Sequence, residues 1–171
     1  MTNQKQIFIT NGMARSGKDT FAEYLNYFVP TLKYSSIDKV KDIAKQCGWG
    51  GTKDEKSRKF LSDLKVLTSQ FNDMPFQAIK TVVEQFKEDK EKRILLIDIR
   101  EPIEIEKVKK TFNAKTILIK RNSVKNITSN MADANVFNYK YDYIIENNGT
   151  LDEFYWTVYK FAKDVLKKVE E

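Results

Sequence analysis

The densest chemistry in this chain lies in Gly12-Met13-Ala14-Arg15-Ser16-Gly17-Lys18-Asp19-Thr20. A glycine at each end of a short loop lets the backbone curl round a polyphosphate, with several N–H groups aimed at anionic oxygens. Lys18, beside the second glycine, reaches the outer phosphates. A helix that opens near Gly17 adds orphan N–H donors and the positive end of its macrodipole to the same place. The spacing is that of a P-loop and implies a bound nucleoside triphosphate, with Gly12, Ala14, Arg15, Ser16, Gly17, Lys18, Asp19 and Thr20 around the phosphates. Ser or Thr commonly follows the lysine; here Asp19 does, with Thr20 next. Magnesium takes hard oxygen ligands, carboxylates included, so both residues are metal candidates. Asp19 also suits a first helical turn through its charge alone.

Such a loop needs a strand to enter it and a helix to leave it. Gln6-Ile7-Phe8-Ile9-Thr10 reads as the strand, and Phe21, Tyr24, Leu25 and Phe28 fall at helical spacing as far as Val29, where Pro30 ends the helix. Leu32–Ser36 is a second strand, and a helix over about Asp38–Cys47 stops at Gly48-Trp49-Gly50-Gly51. Thr52-Lys53-Asp54-Glu55 has the form of a capping box, opening a helix whose inward stripe would be Phe60, Leu64, Leu67 and Phe71. Pro75 starts another, with Phe76, Ile79, Val83 and Phe86 inward. Ile94–Ile97 is apolar on both faces, as a strand inside a covered parallel sheet must be. Helix Pro102–Phe112, strand Thr116–Ile119, strand Tyr143–Ile145 and a last helix behind the capping box Thr150-Leu151-Asp152-Glu153 complete the chain. The alternation predicts one α/β domain over residues 1–171, a three-layer, doubly wound P-loop NTPase fold with a parallel sheet and helices on both faces.

In an open parallel sheet the ligand lies beyond the carboxyl ends of the strands. That rule selects Gly12–Thr20, Ser35–Lys41, Asp98–Arg100, Arg121 and Asn147–Gly149. Asp98 is placed to take a magnesium-bound water or orient an attacking group, or else to cap the helix at Pro102. Arg100 matches phosphate with its planar fork, or else pairs with Glu101 or Glu104.

The stretch Gly-x-Ala-Arg-Ser-Gly-Lys-Asp-Thr resembles the P-loop of phage-type deoxynucleoside monophosphate kinases, and Ser16-Gly17-Lys18-Asp19 also resembles animal phosphomevalonate kinase. Ile97-Asp98-Ile99-Arg100-Glu101-Pro102-Ile103-Glu104 is similar to the Asp-x-Arg-x-Pro-x-Glu stretch of the first family, and Tyr141–Leu151 to its final strand and turn. The resemblance implies transfer of a phosphoryl group from ATP, with magnesium, to a small phosphorylated acceptor. It implies catalytic roles for Lys18, Asp98, Arg100 and Arg121, and magnesium on Asp19, Thr20 or Asp98. It places acceptor contacts at Ser36, Asp38, Lys41, Trp49 and Arg58 in a helical region over about 36–90. A lid would cover about 121–140, and Asn147, Asn148 and Gly149 would border the adenine. From Asn122 to Lys140 the chain has no arginine, only Lys125 and Lys140, which departs from the usual lid. A nucleotide-binding regulator or slow NTPase is therefore the rival, and a kinase of another phosphorylated acceptor a second.

The 171 residues carry 30 Lys and Arg against 24 Asp and Glu, a net charge of +6, one cysteine and no histidine. Without histidine, His-based triads and zinc sites with His ligands are excluded, and one cysteine excludes an internal disulfide. Cys47 is expected to be inert or partly buried. Lysines alternate with acids, as on solvated helix faces, and no nucleic-acid module is present. No stretch reads as a leader or a membrane span, so the expected setting is cytoplasmic. No Asn-Lys-x-Asp guanine signature occurs, and the oligomeric state, a homodimer included, stays open.

Overall fold

Ile94-Leu95-Leu96-Ile97, apolar on both faces, is fully buried in the computed structural model of the chain, which describes residues 5–123 and 136–167. The elements in chain order are β1 (Gln6–Asn11), α1 (Lys18–Phe28), β2 (Thr31–Ser35), α2 (Asp38–Gln46), α3 (Glu55–Asn72), α4 (Met74–Glu88), β3 (Ile94–Asp98), α5 (Pro102–Phe112), β4 (Lys115–Lys120), a 3-10 turn Val136–Asn138, β5 (Tyr143–Glu146) and α6 (Leu151–Lys167). The strands form one sheet in the order β2-β3-β1-β4-β5. β1 lies between β3 and β4, parallel to both, and β4 pairs parallel with β5. Backbone contacts divide the chain into two compact units, Met1–Lys33 with Asp89–Glu171, and Tyr34–Glu88.

The first unit is built on the two-residue period of its strands. Phe8, Ile94, Leu96, Ile117, Ile119 and Ile145 pack in one cluster with Phe21, Ala22 and Leu25 of α1 and Phe154, Val158, Phe161 and Val165 of α6. Phe161 meets Phe8 and Phe21, each at 5.6 Å between ring centres. The alternate residues Ile9, Leu95, Ile97 and Leu118 are buried too, and α5, which contacts β1 and β4, buries Ile105 and Val108. α1 ends at Val29, extended before Pro30. α6 opens with the expected reciprocal box: Thr150 N donates to Glu153 Oε2 at 2.7 Å and Glu153 N to Thr150 Oγ1 at 3.2 Å.

The second unit packs α2, α3 and α4 on one another. Two expectations fail in α3. Its cap is Asp54, whose Oδ1 accepts from Ser57 N at 2.8 Å, and Thr52 instead pairs its hydroxyl with that of Ser57. The cap is displaced by two residues because aspartate outcompetes threonine as an N-cap. The Ser57 backbone N–H holds the Asp54 carboxyl below its ordinary range. The stripe Phe60, Leu67 and Phe71 is not inward: these residues are 37%, 62% and 87% exposed. Helical spacing puts residues on one face without supplying a surface to cover it. Cys47, too, is exposed. Among the described residues no helix is long and apolar enough to cross a membrane.

Candidate functional site

Between β1 and α1 the chain makes a tight loop held from three sides. Gly12 has φ 153°, and a Cβ there would stand 2.5 Å from the Ile119 carbonyl oxygen of β4 and 2.6 Å from Ser16 Oγ. Gly17, at φ 103°, precedes α1 with no side-chain cap, and its Cβ would meet Asn147 Nδ2 at 2.4 Å. Both positions need glycine because the backbone itself approaches a neighbour. Arg15 also takes a positive φ, 64°. Ser16 N donates to Met13 O at 3.1 Å, closing the turn, and the buried Asn147 amide donates to Ser16 O at 2.9 Å. Lys18 Nζ lies back over the loop, donating to Gly12 O at 2.6 Å and Met13 O at 3.1 Å. Ser16 Oγ is buried and has no hydrogen-bond partner among the described residues.

Asn11, a residue the motif does not single out, anchors the loop's entry. Its Oδ1 accepts from Gly12 N at 2.8 Å, and its Nδ2 donates to Arg100 O at 3.2 Å and Tyr141 OH at 2.9 Å. Tyr141 OH donates onward to Val136 O at 2.8 Å, and burial pushes its phenol up to about 12. The only sequence signal was an asparagine next to Gly12; Arg100 O and Tyr141 OH, its other two partners, lie more than 80 residues away.

On the β3 side, Thr10 and Asp98 are register partners, and Thr10 Oγ1 donates to Asp98 Oδ1. Lys33 of β2 bridges two carboxylates, binding Asp19 Oδ1 and standing 3.3 Å from Asp98 Oδ2. Burial alone would lower the Lys33 pKa, but its hydrogen bond to Asp19 and the charges of Asp98 and Asp19 leave it raised. Asp98 does not cap α5, since Glu101 stands at that helix start. Asp19 and Asp98 thus converge on one cation, a hard-oxygen pair of the kind magnesium takes. Among the described residues no group of three or more acidic, His or Cys side chains gathers to hold a metal. Arg100 is exposed just past β3.

Arg15, Gly17, Lys18, Asp19, Thr20, Arg121, Asn147 and Leu151 line one cavity of about 250 Å³. Asn147 also borders a second, of about 260 Å³, with Glu146, Asn148, Gly149, Glu153, Phe154 and Thr157. Asn122 N donates to Asn148 Oδ1 at 2.8 Å, joining the segments that follow β4 and β5. Ala14 is half-buried in the loop.

The predicted acceptor residues belong to the second unit. Ser36 is buried; Asp38 Oδ2 accepts from Ser35 N at 2.9 Å, and Lys41 Nζ lies 3.7 Å from Asp38 Oδ1. Trp49 Nε1 donates to Thr52 O at 3.1 Å, and Arg58 is exposed in the first turns of α3. Most of the expected lid, residues 124–135 with Lys125, lies outside the described residues.

No protein-family model and no curated protein matches this chain by sequence. Among solved structures, TT1252 from Thermus thermophilus is similar with a TM-score of 0.51 and 16% identity, over 96% of this chain and 98% of that one. A dephospho-CoA kinase from Campylobacter jejuni is similar with a TM-score of 0.51 and 20% identity, over 96% of this chain and 97% of that one. With the strand, loop and helix of Gln6–Phe28, these likenesses show an α/β fold of the P-loop NTPase type.

Proposed function

We propose that this protein transfers the outer phosphoryl group of ATP to a small phosphorylated acceptor, a nucleoside or deoxynucleoside monophosphate. The observation that carries this reading is the phosphate cradle: two glycines pressed against neighbouring groups, an uncapped helix start, and Lys18, Arg15 and Arg121 on one cavity. The Ser16 hydroxyl, buried with no partner among the described residues, fits it, because such a hydroxyl costs about 1–3 kcal/mol until a partner satisfies it. The resemblance of the loop to nucleoside monophosphate kinases and the likeness to a dephospho-CoA kinase support a small-molecule acceptor.

Catalysis is then positioning and electrostatics. The loop amides and Lys18 bind the phosphates, with Lys18 turning from the Gly12 and Met13 carbonyls toward them. Asp19, Thr20 and Asp98 would hold magnesium, which neutralises phosphate charge when bound. Arg15, Arg100 and Arg121 compensate charge on the transferred group while an acceptor phosphate oxygen forms the new P–O bond and the old P–O bond breaks, its electron pair leaving on the β-phosphate oxygen of ADP. Asn147, Asn148 and Gly149 border the adenine in the adjoining cavity. Ser36, Asp38, Lys41, Trp49 and Arg58 serve the acceptor.

The test is ADP formation from magnesium ATP against a panel of nucleoside and deoxynucleoside monophosphates and phosphomevalonate, with Lys18→Ala as control. Acceptor-dependent turnover that Arg100→Ala loses while still binding ATP supports the kinase. ATP binding with no transfer to any acceptor replaces it with a nucleotide-binding regulator.

A further inference from the structure

Neither the motif nor the resemblance points to Lys33, yet it pairs with two carboxylates of the site. Its ammonium sits between Asp19, directly after the P-loop lysine, and Asp98, at the end of β3. Where the residue after that lysine is Ser or Thr, the metal side gains a neutral hydroxyl. Here it gains a second negative charge beside Asp98, and two neighbouring carboxylates repel unless a cation joins them. Asp98 is steadied by Thr10 Oγ1, so one arm of the pair has a fixed place. Lys33 is one-third exposed and rides a flexible four-carbon stem, so its ammonium can withdraw into water.

We propose that Lys33 is an internal counter-cation: its ammonium and a divalent ion compete for the Asp19–Asp98 pair, and metal entry requires Lys33 to leave. The proposal rests on assigning magnesium to Asp19 and Asp98. It makes Lys33 a positioning residue that offsets one of the pair's two negative charges until metal and nucleotide arrive together. A bare divalent ion then binds poorly, because it must displace an attached positive charge.

The test is Mn²⁺ binding to the nucleotide-free full chain, read by electron paramagnetic resonance. Lys33→Met keeps the stem and removes the charge, and it should bind Mn²⁺ about tenfold more tightly than wild type, the scale of one charge interaction near the protein surface. Adding Asp98→Asn should remove the gain. Lys33→Gln should reproduce it, and reads the proposal if the methionine variant does not fold. Equal or weaker Mn²⁺ binding without the lysine charge, or a gain that survives Asp98→Asn, overturns the proposal. ATP titration of the wild type reads the kinase assignment separately. Absent ATP binding with an intact Mn²⁺ difference discards the kinase and keeps Lys33; ATP binding without that difference does the reverse.

Discussion

Replacing Gly12 with alanine should be among the most damaging single-methyl changes in the first unit, and the reason can be dissected. The new Cβ must occupy a backbone conformation at φ 153° that L side chains rarely adopt, which costs about 1–2 kcal/mol. It would also stand 2.5 Å from the Ile119 carbonyl oxygen, a backbone atom inside β4 that cannot swing aside. Overpacking of that kind adds about 1–3 kcal/mol, so the variant should lose about 2–5 kcal/mol in all. Gly149→Ala is the control. Its Cβ would meet Glu153 alone, chiefly the Oε2 and Cδ of the carboxyl end, which can rotate away at the expense of the α6 capping box. A lost cap costs about 0.5–2 kcal/mol, partly offset by the stiffer unfolded chain, leaving about 0–1.5 kcal/mol. Urea unfolding followed by circular dichroism, with unchanged m-values, measures both. If Gly12→Ala costs no more than Gly149→Ala, the close approach to β4 is not what requires glycine.

Asn147→Ala should cost about 1–3 kcal/mol by leaving Ser16 O without its amide donor. It should also soften Gly17→Ala, whose Cβ collides with that amide; simple additivity in the double variant would show the two do not touch. Tyr141→Phe should cost about 1 kcal/mol at neutral pH through the lost bond to Val136 O. Burial holds the Tyr141 phenol at about 12 in the folded chain, whereas it titrates near 10 when unfolded, so its contribution is full below pH 10 and lost as pH rises toward 12. The phenylalanine variant should therefore show a shallower loss of stability over that window, and identical slopes would contradict the burial argument.

What could be read from the residues was local. The entering strand, glycine loop and following helix are contiguous, so spacing alone placed Gly12, Gly17 and Lys18 together. The Thr150–Glu153 box likewise needs only a three-residue reach. Asn11, Tyr141 and Lys33 went unread because their roles depend on strand order and register: Lys33 meets Asp98 only because β2 lies beside β3. A single lysine in a short strand looks like any solvated charge until its neighbour strand is known. The α3 stripe failed for the converse reason, since its period was correct and the covering surface was absent from the argument.

The central claim is that the Gly12–Thr20 loop holds a triphosphate through Lys18. Isothermal titration of magnesium ATP into wild type and Lys18→Ala tests it directly, with circular dichroism confirming that the variant is folded. The account predicts a single site in the wild type and at least about a hundredfold weaker binding in the variant, the scale of lost charge-assisted bonds to phosphate. A folded Lys18→Ala protein that binds ATP as the wild type does would contradict it.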